Sequence, residues 1–235
     1  RRGYAVFNIN YRLAPRDPFP AAVQDVAAAY RWVVDNAAAW GADAGRLVLA
    51  GESAGANLAA TLAVMTCYPR PEPWAREVFD VARPARAVIA ACGMMQVSDP
   101  ARFRRRKPNL GTMLFDRISE VSSAYLDGPA SGDCDLADPL CIVERGAPER
   151  ALPPFFLPVG TRDPILDDTR RFGAALERLG VPADVRYYRG GVHAFHAAVF
   201  TEAARQCWHD TFAFLDRWVP APSRDETATP GDFVS

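Results

Sequence analysis

The sequence predicts an α/β fold: a mostly parallel sheet with helices on both faces. Three observations predict it. Short apolar runs rich in β-formers alternate with segments whose apolar residues recur at helical spacing. The runs are apolar at consecutive positions, the pattern of strands buried on both faces. The chain has 235 residues, 49% of them hydrophobic, enough for one domain with a full core.

The elements follow in order. Tyr4–Tyr11 is apolar and β-rich and is expected to be a buried strand. Leu13–Pro20 carries three prolines and reads as a loop. Val23, Val26, Tyr30, Val33, Val34 and Ala37 predict a helix over 20–40, stopped near Gly41. Arg46–Ala50 is a second strand and runs into Gly51–Gly55, after which 54–66 reads as a helix. Arg86–Ala91 is a third strand. Residues 94–150 are polar, Arg-rich and punctuated by Gly and Pro, with one helical stretch near 112–126. They are expected to be a lid or cap inserted into a core spanning 1–219. Pro154–Val159 is a fourth strand, and a helix over 167–180 ends at Gly180. Asp184–Tyr188 is a fifth strand, 197–218 the last helix, and 220–235 a tail expected to be disordered.

Composition excludes several classes. The net charge of -1, from 27 basic and 28 acidic side chains, gives nucleic acid no basic face. The local run Arg102, Arg104, Arg105, Arg106 and Lys107 reads as a solvated surface segment. No 18-residue apolar run predicts a membrane-spanning helix, and no secretory leader is visible. The chain opens inside a strand pattern without an initiator Met, as if cut within a domain. Five cysteines (Cys67, Cys92, Cys134, Cys141, Cys207) form no disulfide framework, and reduced thiols suit a cytoplasmic protein. No Cys/His cluster has zinc-site spacing, so neither metal nor cofactor is expected.

One constellation carries chemistry. Gly51-Glu-Ser-Ala-Gly55 matches G-x-S-x-G between a strand and a helix. Such a turn strains the serine backbone and lifts its hydroxyl above the sheet; residues 51 and 55 are expected to be small because strand and helix pass closely. A serine hydroxyl needs a base, and the base an orienting acid. Asp163 follows the fourth strand, and the competing role of helix N-cap suits Asp167 or Asp168 better. His193 follows the fifth strand after two glycines, with His196 as the rival and His209 as a helix surface residue.

These stretches resemble the hormone-sensitive-lipase family of α/β-hydrolase fold esterases. The resemblance rests on Asn10-Tyr-Arg-Leu-Ala-Pro15 with Phe19-Pro20 and Asp25, on Gly51-Glu-Ser-Ala-Gly-Ala-Asn57, on Asp163-Pro-Ile-Leu-Asp-Asp168 and on Gly191-Val-His-Ala-Phe195. It implies that Ser53 attacks a short- or medium-chain, uncharged ester, that His193 is base and then acid, and that Asp163 orients His193. The Ala54 amide would serve the oxyanion. Two departures stand out. Ala56 replaces a usual glycine, and the family's His-Gly-Gly-Gly oxyanion loop lies upstream of the first matching stretch, outside these residues together with the strand leading into it. The resemblance leaves two other readings open: an impaired fragment lacking that loop, and a ligand-binding member, although plant hormone receptors of this type have lost the catalytic histidine.

Overall fold

The computed structural model describes residues 2–108, 111–128 and 135–220. Four strands, β1 (Val48–Glu52), β2 (Ala87–Ala91), β3 (Phe155–Gly160) and β4 (Ala183–Tyr188), form one sheet in that order, every neighbouring pair parallel. Parallel neighbours need crossover helices. These are α2 (Ala54–Cys67) and α3 (Pro73–Asp80) after β1, and α4 (Ala101–Arg106), α5 (Thr112–Leu126) and α6 (Pro139–Arg145) after β2. The helix α7 (Leu166–Arg178) follows β3, α8 (Glu202–Trp218) follows β4, and α1 (Ala21–Asn36) precedes the sheet.

Strand alternation divides the core. Leu49, Val88, Ala90, Phe155 and Leu157 face one side, where they pack with Leu62 and Met65 of α2, Leu140 of α6 and Phe172 of α7. Ala87 and Phe156 face the other side and meet Phe214 and Leu215 of α8. Both faces of β2 and β3 are therefore covered, which is why these strands read as continuous apolar runs. Gly41 (φ 67°) and Gly180 (φ 68°) adopt the left-handed conformation at the stops the sequence marked, after residues 37–40 and after α7.

Three expectations are corrected. Residues 4–11 are not a strand; Val6 is 83% exposed, and no described strand lies beyond β1 to pair with it. An apolar run forms a strand only when a neighbour accepts its ladder. Arg102 is not solvated but buried, paired with the buried Asp168 at 2.5 Å, whereas Arg105 of the same run is exposed and meets Asp99. Asp168 correspondingly does not cap α7; its carboxylate accepts from the Arg102 guanidinium and from the amides of Met95 (2.8 Å) and Gln96 (3.2 Å). Burial pushes the Asp168 carboxyl up, and Arg102 pulls it back.

Within 94–150 the helices serve two places. The helix α6 is buried against α2 and α7, while Phe103 of α4 and Ile118 of α5 form a small cluster with Ile165. Asn57 of α2 ties the start of the segment to the turn before α6 by donating to Met94 O (2.8 Å) and Ala137 O (3.0 Å). The expected tail beyond 220 and Cys134 lie outside the described residues. No described helix is long and apolar enough to cross a membrane.

Candidate active site

Four chain segments leave the carboxyl ends of the strands side by side, where sites of open parallel sheets form. Ser53 follows β1 directly, at φ 54°, ψ -113°. This sparsely populated backbone is pinned on both sides: Ser53 N donates to Ala91 O at 2.9 Å, and Asn57 N donates to Ser53 O at 3.2 Å. The turn is so tight that a Cβ on Gly51 would sit 2.1 Å from Gly55 O. Gly55 itself is different. A Cβ there would meet nothing within 4 Å, so the expected steric need for a small residue holds at 51 and not at 55. The methyl of Ala56 is buried against Gly93, where an added Cβ would lie 2.8 Å from it; the missing side chain at 93 makes room for the added one at 56.

Asp163 lies three residues beyond β3 and is 1% exposed. Its Oδ1 accepts from Ile165 N at 2.9 Å, which fixes the carboxylate's orientation. Its Oδ2 lies 2.9 Å from His193 Nδ1. A carboxylate only accepts, so Nδ1 carries the proton and Nε2 is left as acceptor. Ser53 Oγ stands 3.0 Å from that Nε2 and donates to it. The imidazole is about one-third exposed. The hydrogen bond to Asp163 holds the His193 pKa above its ordinary value, burial opposes this, and the charge of Glu52 adds to the rise.

The loop carrying His193 is seated by glycine. A Cβ on Gly160 would fall 2.1 Å from Gly191 O, so the end of β3 and the histidine loop touch backbone to backbone. Arg162 N donates to Gly191 O and Gly190 N to Thr161 Oγ1, each at 2.9 Å, locking the acid loop to the base loop.

The structure thus brings Ser53, His193 and Asp163 together, and separates the rivals. His196 turns to Glu52, Nε2 to Oε2 3.4 Å, and stacks edge-on with Trp208. His209 lies exposed on α8 beside Asp210. Ala54 is the first residue of α2, and amides in a first turn have no partner within the helix.

Sequence reasoning passed over Glu52 and Cys92. Cys92 follows β2 at φ 41°, fully buried beside Ala91, Val159 and Leu166. Burial pushes its thiol up to about 12. Only the parallel register, which sets Glu52 beside Ala91, places Cys92 next to the serine. No local motif carries that signal.

A profile of the α/β hydrolase fold family matches residues 1–197. The chain belongs to this family. It is 31% identical over 199 residues to Esterase LipI of Mycobacterium tuberculosis, covering 81% of this chain and 55% of that protein. It is also 31% identical over 217 residues to Carboxylesterase NlhH of the same species, covering 90% of this chain and 63% of the relative. Among solved structures, an esterase from the bacterial hormone-sensitive lipase family superposes with TM-score 0.68 at 26% identity, over 89% of this chain and 64% of that one. The chain therefore spans between about half and two-thirds of the length of these relatives.

Proposed function

We propose that the protein hydrolyses carboxylic esters through an acyl-enzyme, with Ser53 as nucleophile, His193 as general base and acid, and Asp163 as the residue that orients His193. The observation that carries this reading is the unbroken hydrogen-bond chain from Asp163 Oδ2 through His193 to Ser53 Oγ, at 2.9 and 3.0 Å. Relatives named esterase and carboxylesterase support the same reaction class.

The steps follow from the geometry. His193 Nε2 takes the Ser53 proton as Oγ bonds to the ester carbonyl carbon. The negative charge moves to the carbonyl oxygen, where the Ala54 amide at the head of α2 donates to it, aided by the helix dipole. The imidazolium, stabilised by Asp163, returns its proton to the departing alcohol. Water then repeats the sequence and releases the acid. The substrate class we infer is an uncharged ester of short or medium acyl length, and α4 and α5, packed against Ile165 beside Asp163, would form the inner part of a cap over it. Among the described residues four cysteines are free thiols, which suits a reducing, cytoplasmic setting.

The His193–Ser53 bond also weighs against a purely ligand-binding role, for which the base is dispensable. Turnover depends on every oxyanion donor, each worth about 10²–10³-fold, whereas labelling reports on the nucleophile itself. Active-site labelling is therefore the sharper test. The purified chain is treated with a fluorophosphonate and read by intact mass, with Ser53→Ala as control. One adduct that needs Ser53 is expected. A chain with native-like circular dichroism that stays unlabelled would overturn the proposal.

A further inference from the structure

Glu52, Cys92 and His193 are distant in sequence and meet above the strand ends. One ligand atom from each, a carboxylate oxygen, Sγ and a ring nitrogen, lies within 4.8 Å of the other two. Esterolysis uses only the histidine. The cluster opens to solvent at the exposed Glu52 and is backed by the buried Cys92.

The donor set is selective. Sulfur and imidazole favour zinc-type divalent cations, whereas magnesium and calcium want all-oxygen shells. Zinc takes four tetrahedral ligands at about 2.0–2.3 Å, which places neighbouring donors about 3.3–3.8 Å apart. The three donors, within 4.8 Å of one another, must draw closer to reach this, and the exposed Glu52 side chain supplies part of that movement by leaving His196. Histidines that bind metals usually donate their second ring N–H to a carboxylate. His193 already does so, through Nδ1 to Asp163.

We propose that Glu52, Cys92 and His193 form a reversible inhibitory site for a zinc-type divalent cation. On binding, the Cys92 S–H bond breaks, a metal–sulfur bond forms and the proton leaves to water. The Nε2 lone pair turns from the Ser53 hydroxyl to the metal, and one Glu52 oxygen completes the protein ligands. No electron is transferred, and a fourth position stays open to water. While the metal is bound Ser53 has lost its base. The inhibition rests on the triad reading; the coordination does not.

The test uses the purified full chain with Co²⁺ as a spectroscopic stand-in and Zn²⁺ as the inhibitor. Co²⁺ should give a near-ultraviolet thiolate-to-cobalt band with visible bands of tetrahedral coordination, and the first should vanish in Cys92→Ser. Zn²⁺ should slow fluorophosphonate labelling, and EDTA should restore it. With each variant normalised to its own metal-free rate, Cys92→Ser and Glu52→Gln should each raise the half-inhibiting Zn²⁺ concentration by roughly tenfold or more. Glu52→Gln changes an exposed side chain and so separates lost ligation from lost folding. No thiolate band in the wild-type chain, or the same band in Cys92→Ser, would overturn the site, whether or not the chain labels. A chain unlabelled in EDTA that still gives the Cys92-dependent band would instead count against the triad and leave the metal site supported.

Discussion

Ser53 keeps a backbone conformation that costs an L-residue on the order of 1–3 kcal/mol, and His193 keeps a proton more firmly than a free imidazole. Each departure has a leading local cause: the elbow between β1 and α2 for the serine, and the Asp163 carboxylate for the histidine. The second sets a pH dependence. Asp163 stabilises the imidazolium, so His193 gives up its proton at higher pH than an ordinary imidazole and can serve as the proposed base only above that point. In EDTA-containing buffer, the labelling rate should rise with pH through a midpoint above 6.5, the ordinary value. Asp163→Asn should move that midpoint down and cut the rate at neutral pH by up to roughly 10⁴-fold, because the orienting charge is lost. A wild-type midpoint at or below 6.5, or an Asp163→Asn midpoint that does not move, would contradict the role given to Asp163.

The elements respond to substitution according to contacts that only the fold creates. Gly51→Ala drives a Cβ into the Gly55 carbonyl, whereas Gly55→Ala places one in open space within a helix. The first should destabilise by about 1–3 kcal/mol, as overpacked sites do, and abolish labelling; the second should stay folded with equal or higher stability. Urea titrations of the two variants check this, and equal losses would mean that the close approach does not govern the elbow. Arg102 gives a second contrast. Arg102→Ala leaves Asp168 buried without its cation and should cost about 3–5 kcal/mol. Arg105→Ala, on the exposed side of the same short helix, should leave the urea midpoint unchanged. The elbow was legible in sequence because strand, motif and helix are contiguous there. The Arg102–Asp168 pair was not, since its partners stand 66 residues apart and a run of five basic residues looks locally like any solvated face.

At the scale of the molecule, the parallel sheet and the order of the proposed triad Ser53, Asp163, His193 could be read from the chain because each strand is followed by its own helix or loop, and each proposed site residue sits just past a strand. What could not be read is which apolar runs find partners. Residues 4–11 and β2 look alike as sequence, yet β2 is bonded to β1 and β3 while 4–11 pair with no described strand. Amide exchange measures this difference directly. Exchange through local opening is fast where amides lack ladder partners and slow where opening requires unfolding the core. The amides of Val88–Ala91 and of Phe155, Phe156, Leu157 and Val159, from strands covered on both faces, should therefore be the slowest class and exchange with the free energy of global unfolding. The amides of residues 4–11 should exchange within the first time points. Slow exchange at 4–11 in this chain would mean that the run has found a ladder of its own, by pairing at the edge of β1 that no described strand covers or between two copies, and its dependence on protein concentration would tell these apart.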